Sequence, residues 1–328
     1  MKKPRIAIIG AGLSGIFLAQ NLQHLCDVKI FEKSRGCGGR MSTRYAENFV
    51  FDHGTQFFTA ESEGFKKFLK PFVETKVISQ WQGEVISFDS KAIVTARNEE
   101  DYWVASPNMN SLCKKMAENL DISLSTEIAP IFHKDSDEWH LKDKNGNHLG
   151  IYDFVISTAP SPQTKNLFAT QVNFGSKMEE VTMIPSFATM IGFNQELNLD
   201  WIFAHVKDGP IKSISSNSTK PGRDKNVSCF VIQSADLWTI EHLEDDVLNV
   251  EKVLVKKFED LTGISCEKAD YISTHRWRYA LVDNVKKFKP FFDDNLKLGA
   301  TGDWVFGSKI EDVWLAAEKL SQLIKVKI

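Results

Sequence analysis

"RIAIIGAGLSG", residues 5–15, sets an apolar run directly ahead of three glycines in the pattern Gly10-x-Gly12-x-x-Gly15. The run has strand length and suits a strand covered on both faces. Beyond it Ile16, Ala19, Leu22 and Leu25 recur at helical spacing. "VKIFE" (28–32) then reads as a second strand ending in Glu32, twenty residues past Gly12. Strand, glycine turn, helix, strand and terminal acid together are the fingerprint of a dinucleotide-binding unit. Gly10 makes the tight turn, Gly12 lets a pyrophosphate approach the backbone, and Gly15 lets the helix pack on the strand. Leu13 and Ser14 open that helix, whose free N–H groups favour phosphate. Glu32 is placed to accept a ribose 2′-OH, which favours an adenosine without a 2′-phosphate.

The remaining composition bounds the reading. The length of 328 residues accommodates two domains or one large interrupted one, and 42% hydrophobic content is ample for a core. A net charge of −3 argues against nucleic acid as a partner. Five scattered cysteines without a Cys-x-x-Cys pair point to a reducing compartment and to no structural zinc or other metal. The basic, apolar N-terminus looks like a signal peptide, but Gly10, Gly12 and Gly15 break the run and the dinucleotide motif lies inside it. No stretch approaches a membrane span, so a cytoplasmic protein is expected.

The stretch "RGCGGRMSTR" (35–44) holds three glycines and three arginines in ten positions. Alone it would read equally well as a surface loop. It follows Glu32 directly, however, which puts it at the carboxyl end of the second strand beside the same pyrophosphate. Arg40 is there as a planar bidentate phosphate donor. Lys33, Gly39, Arg40 and Met41 are therefore read as a second clamp on the diphosphate. "EKSRGCGGRMSTR" (32–44) resembles the E-x-x-x-x-x-G-G-R segment of the flavin amine oxidase superfamily. The resemblance implies FAD, with this loop wrapped around its pyrophosphate. Cys37 is expected to be a loop residue near phosphates rather than a covalent flavin link, so the FAD is expected to be non-covalent.

Further segments extend the resemblance. In "FDHGTQFFTA" (51–60) the family implies that Gly54, Thr55 and Gln56 neighbour the flavin ring; His53 reads as either a hydrogen-bonded core histidine or a catalytic one. "SLSTEIAPI" (123–131) reads as a strand carrying backbone contacts to adenine at Ile128. "DKNGN" (143–147) is a hairpin turn signal, and "YDFVISTAP" (152–160) a buried strand. In "LGATGDWVFGSKIEDVWLAAEKL" (298–320) a strand over 296–300 leads to Gly302 and Asp303, which the family sets near the ribityl or phosphate region. A helix starts near Ser308, with Ser308 to Glu311 in capping-box form. Its N-terminus, at Ile310, is implied to aim its dipole at the flavin edge.

Residues 166–293 have short strands such as "SFATMIGF" and "VSCFVIQ", a polar loop "SSNSTKPGR" and a helix around 245–262. The fold class expected is α/β, a Rossmann-type FAD-binding domain (1–60, 105–165 and 294–328) with an inserted α+β substrate domain (61–104 and 166–293), as in p-hydroxybenzoate hydroxylase and monoamine oxidase. "KPGR" (220–223), "WTIEHLE" (238–244) and "HRWRYA" (275–280), taken with the blocks above, resemble bacterial renalase-type flavoproteins over nearly the whole chain. That resemblance implies a small-molecule substrate, a 2- or 6-dihydronicotinamide isomer of NAD(P)H. Its hydride goes to flavin N5, and O2 then reoxidises the flavin to give H2O2. A flavin amine oxidase acting on an unidentified amine is the alternative.

Such a ring already holds a transferable hydride, so positioning rather than a strong base is required, and no catalytic residue is assigned. Substrate-site candidates are Gln56, Arg276, Trp277, Arg278, Tyr279 and Lys309. On a strand Arg276 and Arg278 share one face, Trp277 and Tyr279 the other, and a salt-bridged sheet face is the competing reading of the arginines. Lys309 stands where monoamine oxidases carry a cage tyrosine. It reads as a cation that repels an ammonium substrate or as a solvent-facing lysine at a helix start.

Overall fold

The computed structural model describes residues 3–89, 92–95, 101–131, 138–168, 172–197, 199–283 and 288–328. The chain divides into two compact units. One comprises 1–39, 113–183 and 281–328, and the other 40–112 and 184–280.

In the first unit six described strands form a sheet in the order Phe291–Asp293, Leu298–Ala300, Phe154–Ser157, Arg5–Ile9, Asp27–Phe31, Asp121–Ser123. All neighbours pair in parallel except Phe291–Asp293, the antiparallel edge. Ile8 sits opposite both Ile30 and Ile156, and Ile6, Ala7 and Ile8 are fully buried. Beyond Arg5 the first strand is apolar, and it is central and covered as its sequence requires. Helix Leu13–Leu22 returns from it, and helix Ile310–Lys325 packs on that helix. Phe17 meets Trp314 edge-on at 6.0 Å and the Asn21 amide donates to Glu318 at 3.0 Å. The hairpin Trp139–Lys142/His148–Tyr152 turns at the expected site, where Asp143 Oδ1 accepts the N–H groups of Asn145 and Asn147.

In the second unit seven described strands run in the order Tyr271–Val282, Met183–Phe193, Ser228–Ser234, Ile211–Ser216, Phe203–Val206, Val85–Asp89, Ala92–Thr95. Alternation sorts their side chains. Phe187, Ile191, Phe193, Phe230 and Ile232 pack under helix Val247–Thr262 through its Val250, Leu254 and Phe258. Met190, Cys229 and Val231 face the other way, against Phe49 and Phe51 of the hairpin Arg44–Ala46/Phe49–Phe51. The helix is capped by Asp246, which accepts the Leu248 N–H at 2.8 Å, and ends at Gly263 with φ +72°.

Four expectations are corrected. Residues 40–60 belong with the second unit, because Phe49 and Phe51 are core there and Phe51 stacks on Tyr271 at 5.3 Å; residues 166–183 belong with the first. The strand expected over 123–131 ends at Ser123. Beyond it the Ser125 and Thr126 N–H groups bond the carbonyls of Ser34 and Glu32, which turns the chain, and Ile128 makes only an isolated bridge to Asp143. "SSNSTKPGR", read as a polar loop, is a strand end and a 3-10 turn (Asn217–Thr219), and Ser215 to Ser218, Lys220 and Arg223 are buried. The strand expected over 296–300 is shorter, Leu298–Ala300.

A Cβ on Gly192 would lie 2.7 Å from the Phe49 ring, which is itself hemmed in by Phe51 and Tyr271. Gly192→Ala is expected to destabilise the protein by about 1–3 kcal/mol, the usual range for an overpacked core. Urea unfolding of the variant beside the parent measures it.

Candidate functional site

In the first unit the glycines do what the motif demands. Gly10 has φ +114° and donates its N–H to the Phe31 carbonyl at 2.8 Å. A Cβ on Gly15 would sit 2.0 Å from the Gly10 carbonyl oxygen, so only glycine lets helix and strand approach this closely. Gly12 bridges to Gly38, whose N–H donates to the Ala11 carbonyl at 2.9 Å; a Cβ on Gly39 would lie 3.2 Å from the Gly12 Cα. Two glycine loops from separate parts of the sequence therefore lie backbone to backbone. Glu32 is buried, and both its oxygens accept from the same cradle, Ala11 N–H at 2.8 Å and Ser34 N–H at 2.7 Å. A carboxylate has about four acceptor positions, so capacity for ribose hydroxyls remains.

Among the described residues of this unit two buried hydroxyls, Ser14 Oγ and Thr301 Oγ1, have no protein partner. A buried hydroxyl without a partner is costly, and both belong to segments assigned to the nucleotide. Thr301 precedes Gly302 and Asp303, which stand at the start of the short helix Asp303–Phe306, with Asp303 buried. Orphaned donors, a glycine-lined backbone and a fixed acid fit a dinucleotide cofactor. Leu13 is buried, Lys33 exposed and Ile128 buried; Ile310 is the first residue of its helix and half-buried. Cys37 is half-buried, and burial, with help from the Glu32 charge, pushes its thiol pKa up, as suits an inert loop residue. The helix cap is corrected by one residue. The N-cap is Lys309, whose N–H donates to Asp312 at 3.2 Å, because Ser308 Oγ already accepts the Val282 N–H at 2.9 Å. Lys309 itself is exposed.

In the second unit the turn 52–56 lies over a buried charge cluster. Asp52 Oδ2 faces Lys220 Nζ at 3.1 Å and Arg223 Nη2 at 2.5 Å; its Oδ1 accepts from Thr43 Oγ1 at 2.8 Å and Met109 N–H at 2.9 Å. Burial alone would raise the Asp52 pKa, but Lys220, Arg223 and these hydrogen bonds outweigh it and hold it at about 2. For Lys220 burial wins. One carboxylate is shared between two cations, and the ammonium pKa falls to about 8. Gln56 is buried and donates to the Asp52 and Gly54 carbonyls, while Arg40 is tied to the Ala280 carbonyl at 3.1 Å and accepts on its own carbonyl from Thr55 N–H. Met41 is buried in the 3-10 turn Gly39–Met41.

His53 is a buried aromatic, stacked on Trp277 at 5.2 Å and edge-on to His275 at 5.1 Å, with its carbonyl accepting the Trp277 indole N–H at 2.9 Å. Burial, then the charges of His275 and Arg44, lower its pKa to about 4; burial and Arg44 also lower that of His275. Both rings are neutral at pH 7. The strand alternates as read. Trp277 turns to His53, whereas Arg278 makes a bidentate pair with Glu244 at 2.6 and 2.8 Å and Arg276 donates to the Asp245 carbonyl. The arginines are thus held by surface acids, and Tyr279 is half-buried. Asp52, Asn217, Lys220, Arg223 and His275 went unread in the sequence. "KPGR" was visible, but nothing in it announces burial.

A profile of NAD(P)-binding Rossmann-like domains matches residues 8–72. The chain is similar to renalase from Mus musculus, 22% identical over 309 residues that cover 87% of each protein. Among solved structures it superposes on an Exiguobacterium protein assigned as a protoporphyrinogen oxidase (TM-score 0.83, 12% identity, all of both chains). It also superposes on cyclohexylamine oxidase from Brevibacterium oxydans (TM-score 0.76, 10% identity, 99% of both). The chain is similar in sequence to renalase and shares its fold with flavin-dependent oxidases. Its renalase-like sequence and amine-oxidase architecture agree with the two-unit fold and with the glycine cradle.

Asp52→Asn would leave Lys220 and Arg223 buried without their counter-charge, at an expected cost of about 3–5 kcal/mol. The pH dependence carries the same signature. A carboxyl lowered from 3.8 to about 2 on folding contributes about 2 kcal/mol at neutral pH, complete above about pH 4 and lost as pH falls through about 2. Acid unfolding of the parent should show this loss, and the step should be missing from Asp52→Asn.

Proposed function

We propose that the protein binds FAD non-covalently and oxidises 2- or 6-dihydronicotinamide isomers of NAD(P)H, with O2 as terminal acceptor. The observation that carries the substrate reading is the aromatic group His53, His275 and Trp277, neutral at pH 7 and influenced by the Arg44 cation. Such a group suits a planar uncharged ring on a phosphate-bearing molecule. An amine arrives as an ammonium ion and needs an anion or a cation-binding cage. Asp52, the carboxylate that acts on His53, is already committed to Lys220 and Arg223. Lys309, being exposed, adds little to the discrimination.

Gly10, Gly12, Ser14, Gly15, Glu32, Gly39, Arg40, Gly302 and Asp303 are proposed to hold the cofactor, with Gly54, Thr55 and Gln56 beside its ring. FAD supplies the hydride acceptor at N5 and, on reoxidation by O2, H2O2. What the chain supplies is orientation. Trp277 and His275 wall the substrate ring, and the fixed turn 52–56 sets the distance. A misplacement of about 1 Å is expected to cost about 100-fold in rate. The five free cysteines support a cytoplasmic setting.

Two measurements test this. Anaerobic mixing should bleach the flavin quickly with 2- or 6-dihydro isomers, slowly with ordinary NADH and little with simple aromatic amines. Rapid bleaching by a monoamine with no response to any nicotinamide would overturn the reading in favour of amine oxidation. Glu32→Ala should weaken FAD retention by about 1.5–3 kcal/mol, the scale of a hydrogen bond to a charged group, read by equilibrium dialysis against released FAD.

A further inference from the structure

Lys220 is fully buried, and each of its three N–H groups has one acceptor: Asn217 Oδ1 at 3.0 Å, Asp52 Oδ2 at 3.1 Å and Gln56 Oε1 at 3.4 Å. An ammonium has three donors and no acceptor, so the set is complete. A buried ion pair is rarely the most stable way to fill a core, since apolar replacement is often neutral or better. The third contact is informative. With Oε1 facing Lys220, the Gln56 amide must present Nε2 to the carbonyls of Asp52 and Gly54, at 2.5 and 2.9 Å. Inverted, it would set oxygen against two carbonyl oxygens. Gln233 also donates to the Gly54 carbonyl, at 3.1 Å, and the carbonyl between them, that of His53, accepts the Trp277 indole.

We infer that Lys220 is a positioning residue: its ammonium orients the Gln56 amide, and through it the carbonyls of residues 52–54 against which Trp277 is held. The relay runs Lys220, Gln56, backbone, Trp277, and only its first member carries charge. The charged groups facing Lys220 are Asp52 and Arg223, with Lys225 reaching its carbonyl oxygen and the Trp81 ring 5.2 Å from Nζ. Burial, reinforced by Arg223 and opposed by Asp52, places the Lys220 pKa near 8, so the relay opens within an accessible pH range. A neutral amine has two N–H groups for three acceptors. The charged Asp52 and the closer Asn217 keep theirs, and the long Gln56 contact is released. The Gln56 amide then keeps its two carbonyl acceptors but loses the cation that held its oxygen, so the turn is less firmly oriented.

The relevance to catalysis rests on Trp277 facing substrate, but the test uses no substrate. In the flavin-loaded protein with 15N-indole tryptophan, the Trp277 resonance, assigned with Trp277→Phe, should shift with a midpoint near pH 8. His53 and His275 are held below the usual histidine range and do not titrate in that window. The shift should vanish in Lys220→Met and also in Gln56→Leu, which keeps all three charges and reads the relay should Lys220→Met fail to fold. A flat parent resonance, or a titration that persists in either folded variant, overturns the inference. A relay that titrates as described in a protein that no dihydronicotinamide reduces leaves it standing and refutes only the substrate reading.

Discussion

A single carboxylate answers two cations in the buried interior of the second unit. Asp52 gathers Lys220 and Arg223 on one oxygen and a threonine hydroxyl and a backbone N–H on the other. Charges this deep persist only where partners and hydrogen bonds are complete. The constraint propagates in both directions. Arg223 is pinned to the Ala105 carbonyl and Asn217 to the Val50 carbonyl, so the cluster ties strand ends far apart in sequence. On its other side it settles the turn 52–56, and with it the aromatic group around His53.

The first unit is governed by proximity rather than charge. Gly15 and Gly10 approach so closely that no side chain can intervene, and the Gly12 and Gly38 backbones bridge directly. What this leaves exposed is main chain, and main-chain N–H groups are ligands for phosphate. Glu32 braces the arrangement from beneath by accepting from both loops, at Ala11 and at Ser34. The two oxygens that hold this cradle are the ones proposed to hold a ribose.

Much of the first unit was legible because the motif is local and each residue type has one physical reason to be there. The hairpin at "DKNGN", the central strand 5–9 and the long helix near 245–262 follow from turn chemistry and periodicity, and the structure has them. The second unit was legible in its strands and opaque in its interior. Lys220, Arg223 and Asn217 look like loop residues because hydrophilic stretches usually are, and their burial depends on Asp52, some 170 positions away. Pairings of that range leave no periodic trace. The domain border failed for a related reason: the aromatics of "FVF" (49–51) read as a continuation of the nucleotide segment, whereas they fill the far face of the second sheet.

The pairing of helix Leu13–Leu22 with helix Ile310–Lys325 has a consequence for the way the molecule is made. Phe17, Leu18 and Leu22 leave the ribosome long before the surface that covers this helix, Trp314 among it, which is synthesised about 300 residues later. At about 5–20 residues per second that interval is roughly 15–60 s. Over that time the nascent nucleotide-binding unit carries an uncovered apolar helix and a parallel sheet lacking the strand Leu298–Ala300. Contacts of such sequence separation also make for slow closure. The second unit, whose segments end at residue 280, can complete its own core earlier, so the chain is expected to fold its inserted part before the part into which it is inserted, and to depend on chaperones meanwhile.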